Sequence, residues 1–266
     1  MRSQMLLVSA ALLALVACGG EEDGAGGGAG SAGAAGQAGG AGGAGQILSP
    51  EMVQLPAGFW IDSTEVTRAQ YQSWLDTTPL KAGQPSECNW NDDYTPGCHW
   101  PPGDEPDHPV SCVDWCDAYA FCSAVGKRLC GKIGGGPAAL EDRDDSSRSQ
   151  WYYACSSNGL YEYPYGNDFN DSACNVEEAQ QGGIAGTASF EECKSSEPGF
   201  EGVFDLTGNV REWTDACTGA AGADDSCEER GGSYGMAGIG TRCRLATTAK
   251  RNEPAEGLGF RCCRDY

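Results

Sequence analysis

Apolar positions recur at helical spacing in two stretches of this chain and are scattered almost everywhere else. In the first, Tyr71, Trp74 and Leu75 share one helical face. Thr67-Arg68-Ala69-Gln70 opens it as a capping box, in which the Thr67 hydroxyl and the Gln70 side-chain carbonyl each accept from an amide hydrogen that a helix start leaves unpaired. Val66 and Tyr71 stand where a hydrophobic staple packs. A second helix is predicted from near Asp114 to Gly126. Its stripe of Trp115, Ala118, Tyr119, Cys122 and Val125 turns Cys122 toward the core. The remainder of 47–266 consists of short segments punctuated by Gly, Pro, Asn and Asp, the pattern of loops with short strands. Few helices and irregular connections predict one α+β domain of about 220 residues.

Ahead of that body the pattern changes twice. Met5 to Ala17 is one apolar stretch, broken only by Ser9 and preceded by Arg2. It is shorter than the ~20 residues a spanning helix needs and fits a signal-peptide core. It ends Leu15-Val16-Ala17-Cys18, which resembles the lipobox of bacterial lipoproteins, where the cysteine is lipidated and becomes the mature N-terminus. Each buried acyl methylene stabilises membrane attachment by ~0.8 kcal/mol. Residues 19–46 are almost wholly Gly and Ala. They bury too little apolar surface to offset ordering, so they read as a flexible tether spanning about 30 Å. The expected organisation is a signal peptide over 1–17, a lipidated Cys18 with its tether over 18–46, and the folded domain over 47–266. The expected location is the bacterial cell envelope, extracytoplasmic and lipid-anchored, with the membrane as a partner.

Charge and cysteine content narrow the function classes. The 266 residues carry 17 Lys+Arg against 38 Asp+Glu, a net charge of −21. A surface of that sign repels phosphates, so no nucleic-acid partner is expected. Fifteen cysteines point to an oxidising compartment. Setting Cys18 aside leaves fourteen, enough for seven bridges, whose connectivity spacing does not fix. Two pairs would close short loops, Cys88–Cys98 and Cys217–Cys227. Zinc spacing is missing, and the chain has only His99 and His108.

Eight stretches, in order, resemble the formylglycine-generating enzyme (sulfatase-modifying factor) family. They begin with Phe59-Trp60-Ile61-Asp62 with Glu65-Val66-Thr67, His108-Pro109-Val110, Asp114-Trp115 with Asp117-Ala118, and Gly126-Lys127-Arg128-Leu129. They continue with Tyr163-Pro164-Tyr165-Gly166-Asn167, Gly208-Asn209-Val210-Arg211-Glu212-Trp213, Arg230-Gly231-Gly232-Ser233-Tyr234 and Gly259-Phe260-Arg261. The resemblance implies a loop-rich variant of the C-type lectin fold with bridges Cys122–Cys262 and Cys155–Cys243. It implies calcium at Asp205, Gly208, Val210 and Glu212. A second calcium set would be Asn175, Val176 and Ile184, with Gly182 where the family has an aspartate.

Active members also hold copper(I) on two cysteines shortly after Gly-Gly-Ser-Tyr, soft thiolates suiting a soft ion. Here that stretch reads Gly235-Met236-Ala237-Gly238-Ile239-Gly240-Thr241-Arg242, so copper is not expected. Ser233 and Tyr234 would remain in the family's groove, and His108 would be structural. The expectation is a pseudoenzyme, a calcium-stabilised binding module for a peptide, glycan or envelope protein. The alternative is a metal-dependent oxidoreductase of the same family using non-standard ligands.

Overall fold

In a computed structural model that describes residues 47–266, both predicted helices start where their caps place them. Helix α1 spans Arg68–Leu75. Thr67 Oγ1 accepts from the Gln70 N–H at 3.2 Å, and Gln70 Oε1 accepts from the Thr67 N–H at 2.9 Å. Helix α2 spans Trp115–Ala124, capped reciprocally by Asp114 and Asp117. It ends ahead of Gly126, whose φ of 71° is left-handed and suits glycine. The buried side of α2 is rotated from the predicted stripe. Cys116 and Phe121 are buried, whereas Tyr119 and Val125 are only partly so. Phe121 wins its place by stacking on Tyr71 at 5.6 Å and meeting Phe260 edge-on at 5.5 Å. A third helix, α3 (Gln150–Cys155), is capped by Ser149 and has no counterpart in the periodicity analysis.

Two four-stranded sheets complete the α+β fold. One has the order β1 (Met52–Leu55), β2 (Phe59–Asp62), β8 (Cys262–Arg264), β3 (Arg128–Leu129), antiparallel throughout. The other has the order β6 (Ala246–Lys250), β5 (Ser226–Arg230), β4 (Arg211–Cys217), β7 (Leu258–Phe260), with β4 and β7 parallel. Strands β7 and β8 belong to different sheets yet are separated only by Arg261, which is fully buried at the crossing. One apolar cluster gathers Val66, Tyr71, Trp74, Trp115, Phe121, Trp213 and Phe260. A second gathers Leu55, Phe59, Ile61, Trp151, Phe200 and Leu206. Among the described residues no helix is long and apolar enough to cross a membrane. The signal peptide, Cys18 and the tether lie outside the described residues.

All fourteen cysteines of the body are paired. The bridges are Cys88–Cys116, Cys98–Cys112, Cys122–Cys262, Cys130–Cys263, Cys155–Cys243, Cys174–Cys193 and Cys217–Cys227. The two long-range pairs implied by the family resemblance are present, as is the short Cys217–Cys227 loop. The expected Cys88–Cys98 pair is not formed. Cys88 sits in a 3-10 turn packed on the first turn of α2, where Cys116 faces it in the core. Cys98 is held beside Cys112 because the Gly97 N–H donates to the Cys112 carbonyl at 2.9 Å. Packing onto a helix selects Cys116 for Cys88, and a backbone hydrogen bond between loops selects Cys112 for Cys98. Alkylating the denatured chain before reduction should label none of these fourteen cysteines, and peptide mapping should recover Cys88 with Cys116. A Cys88–Cys98 peptide would contradict the packing.

Candidate functional site

Strand β4 begins at the arginine of the Gly-Asn-Val-Arg-Glu-Trp stretch and carries Glu212 inward, 1% exposed. Its carboxylate accepts from Arg261 Nε at 2.9 and 2.8 Å, on Oε1 and Oε2 respectively. The Arg261 Nη2 lies 2.7 Å from Oε1, and Trp151 Nε1 of α3 donates to Oε2 at 2.8 Å. The guanidinium also donates to the carbonyls of Asp62 and Phe204. One ion pair thereby joins both sheets, α3 and the loop before β4. Such charge-assisted, multidentate contacts are the strong kind.

Two more buried carboxyls stand around this guanidinium. Asp205 accepts from the Ala188 N–H at 2.6 Å, and Glu65 accepts from Asn209 Nδ2 at 3.1 Å on Oε1 while its Oε2 has no partner among the described residues. Burial pushes Asp205 up to about 6. Burial, with the Asp205 carboxylate next in weight, raises Glu65 well above the usual carboxylate range. Nearby, Asp62 is also pushed up to about 6 by burial, although the Lys127 ammonium and the Cys262 N–H bind it.

The two expected calcium sets are brought together, but not as cation cradles. Both oxygens of Glu212 are saturated by donors, and Arg261 already supplies the positive charge a calcium ion would bring. Of that set only Asp205 keeps a carboxylate away from the guanidinium's direct bonds. Gly208 is required for another reason: its φ is 75°, and a Cβ there would lie 2.3 Å from the Asn175 carbonyl oxygen. In the second set Asn175 donates to the Gly183 carbonyl at 2.9 Å and to Asn209 Oδ1 at 3.0 Å, leaving its own Oδ1 unpaired. The Val176 carbonyl accepts from the Ala179 N–H, and Gly182 offers no carboxylate near Ile184. Calcium favours six to eight oxygens with several carboxylates. Neither donor set fits it.

The expected groove residues follow the end of β5, where the Tyr234 N–H donates to the Asn209 carbonyl at 3.0 Å. Ser233 is buried, and Tyr234 donates its hydroxyl to Glu256 at 3.3 Å, the carboxylate oxygen that His99 Nε2 meets at 3.1 Å. His108 bonds only to Asp107 through its ring, while its carbonyl accepts from the first amide of α1. Between Gly231, Gly232, Met236, Gly240 and Leu245 the recess measures about 20 Å³, scarcely a water's space. Residues 238–241 form a 3-10 turn whose Gly238 N–H donates to the Glu178 carboxylate. Sequence spacing had not linked Glu65, Asn209 and Arg261 to Glu212, nor His99 and Glu256 to Tyr234. Glu65 and Arg261 stood within recognised stretches, but their meeting is purely tertiary.

Comparison with known proteins places these features in context. A family model described as "Sulfatase-modifying factor enzyme 1-like domain" matches residues 26–266. The formylglycine-generating enzyme of Bos taurus is 27% identical over 188 residues, covering 60% of this chain and 45% of that protein. The inactive C-alpha-formylglycine-generating enzyme 2 of Bos taurus is 31% identical over 176 residues, covering 58% of this chain and 49% of that protein. The chain thus spans about half the length of the curated relatives it matches. Among solved structures, CarF superposes with a TM-score of 0.52 at 22% identity, covering 78% of this chain and 86% of that one. PvdO from Pseudomonas aeruginosa gives 0.53 at 21% identity, covering 78% and 80%. Both show the same fold.

Arg261→Met should destabilise the chain by about 3–5 kcal/mol in urea unfolding, because it strands Glu212 as a buried, unpaired charge. Adding calcium or chelator should leave the wild-type melting temperature unchanged. Burial pushes Asp62, Asp114, Asp205 and Asp215 up to about 6. Between the ordinary aspartate range and that value the folded chain therefore binds more protons than the unfolded one, and stability falls as pH rises. Urea midpoints should be lower at about pH 7 than at about pH 5, a trend opposite to the carboxylate-stabilised default.

Proposed function

The chain belongs to the sulfatase-modifying-factor family, and we propose that it is a member without formylglycine-generating chemistry that acts as a binding module on the bacterial envelope. One observation carries this reading: seven disulfides take up all fourteen cysteines of the body, so the groove beside Ser233 and Tyr234 has no thiolate to offer copper(I). Disulfide sulfurs are poor substitutes, and Met236 alone brings at most one thioether. The small recess at Gly232 supports the same reading, because a Cβ there would already lie 2.6 Å from Thr241 Cγ2. Likeness to an inactive relative is compatible with it. What remains is a rigid, bridged scaffold presenting a surface to a peptide, glycan or envelope protein.

Envelope display rests on the lipobox-like Leu15-Val16-Ala17-Cys18 and the tether behind it. A lipid anchor and a flexible coil would let the domain range over its surroundings while holding it at the membrane. Calcium has no part in the reading, since the Arg261 guanidinium occupies the electrostatic role it would fill. The rival is an oxidase with relocated ligands. Supplied with copper(I), oxygen and a cysteine-containing sulfatase-motif peptide, the purified chain should show no peptide mass loss and no tight copper uptake. Copper-dependent conversion of the cysteine would establish the rival.

A further inference from the structure

We infer that the outer edge of β6, together with the turn ahead of it, is a docking strip for an extended acidic peptide that adds as a further strand to the sheet. The inference rests on the binding-module reading and names its ligand class. Strand β6 ends the order β6-β5-β4-β7. The Ser226 carbonyl accepts from Thr218, on the β4 side, so Cys227 and Glu229 are the β5 residues whose backbone faces β6. Their partners are Ala249 and Thr247. By strand alternation the N–H and C=O groups of Ala246 and Thr248 point away from the sheet. The Lys250 N–H confirms that phase, donating outward to the Glu253 carboxylate at 3.2 Å. Thr247 and Thr248 are both exposed, so no side of the strand tip is covered.

Charge selects the partner. From Arg242 to Arg251 the chain carries four cations and no acid, within a protein of net charge −21. Arg242, Arg244 and Lys250 have side chains 39%, 59% and 49% exposed, and their contacts to Glu162 and Asp224 run from 3.0 to 4.0 Å. Exposed pairs of this kind contribute little and yield readily to a better-placed carboxylate. Apolar side chains gather at the same end of the strand. Leu245 and Ile239 are exposed, and Leu245 shares the recess with Met236, Gly240 and Ala246. Backbone pairing supplies affinity in strand addition, and side-chain pockets supply choice. A strand that carries both carboxylates and aliphatic side chains supplies partners for all three features. Lysine on an edge also guards against self-pairing, and the two roles predict different outcomes.

The test uses the full chain and a blocked octapeptide, Asp-Glu-Val-Leu-Val-Val-Glu-Asp, against its counterpart with lysine in place of each acid, read by fluorescence anisotropy. The acidic peptide should bind saturably and the basic one at least about tenfold more weakly. Thr248→Pro removes an outward N–H without touching the β5 ladder, and edge positions tolerate proline. It should keep the wild-type melting temperature and lose binding about tenfold. A peptide N-methylated at alternate amides tests the same bonds on the unaltered protein and should also fail. Equal binding of both charge forms, indifference to N-methylation, or no saturable binding by the wild type would overturn the inference. None of these would restore copper-dependent oxidation, so failure here is distinct from failure of the non-catalytic reading.

Discussion

The ion pair between Glu212 and Arg261 holds the domain's two halves to a common geometry. Arg261 is the single residue between β7 and β8, where the chain leaves one sheet for the other. A guanidinium there must find partners for all its donors or it would not survive burial. It finds them in β4, in the carbonyl at the end of β2 and in the segment before β4. Trp151 completes the shell from α3. Moving any of these elements by an ångström leaves a buried charge short of a bond. The pair therefore contributes definition of the structure as much as stability.

The same pair sets the electrostatics of the interior. Three buried carboxyls face one guanidinium, and low-dielectric surroundings do not tolerate the surplus negative charge. Burial accordingly raises both Glu65 and Asp205 above the ordinary carboxylate range. Asn209 ties this centre to Asn175 and Ala185, so the two expected metal sets have become one hydrogen-bonded network. Disulfides reinforce it. Cys122–Cys262 and Cys130–Cys263 fix adjacent cysteines of β8 to α2 and to the end of β3 respectively, immediately beyond Arg261. Long closures of this kind cost the unfolded chain much of its freedom.

A scaffold so thoroughly bridged commits all fourteen cysteines of its body to structure. In the proposed binding-module reading, its surface is the functional part. The recess at Gly231 and Gly232 is small, whereas the neighbouring edge of β6 offers unpaired backbone, cations and apolar side chains within a few residues of sequence. Rigid supports with an open strand edge suit recognition by main-chain pairing.

Much of this was legible in the amino-acid order. Capping boxes at Thr67 and Asp114 act within four residues, so α1 and α2 could be placed from local chemistry alone. The missing cysteines after Tyr234 were equally plain, as were the acidity and the ordered family stretches. Tertiary packing decided the rest. Phe121, not Tyr119, faces the core because Tyr71 and Phe260 receive it. Cys88 pairs with Cys116 because a turn lands on a helix start. Above all, Glu212 meets Arg261, 49 residues away, and so becomes a saturated anion in place of a calcium ligand. Sequence specifies which groups are available, but the competition among donors for one buried carboxylate is settled only when the elements that carry them are in contact.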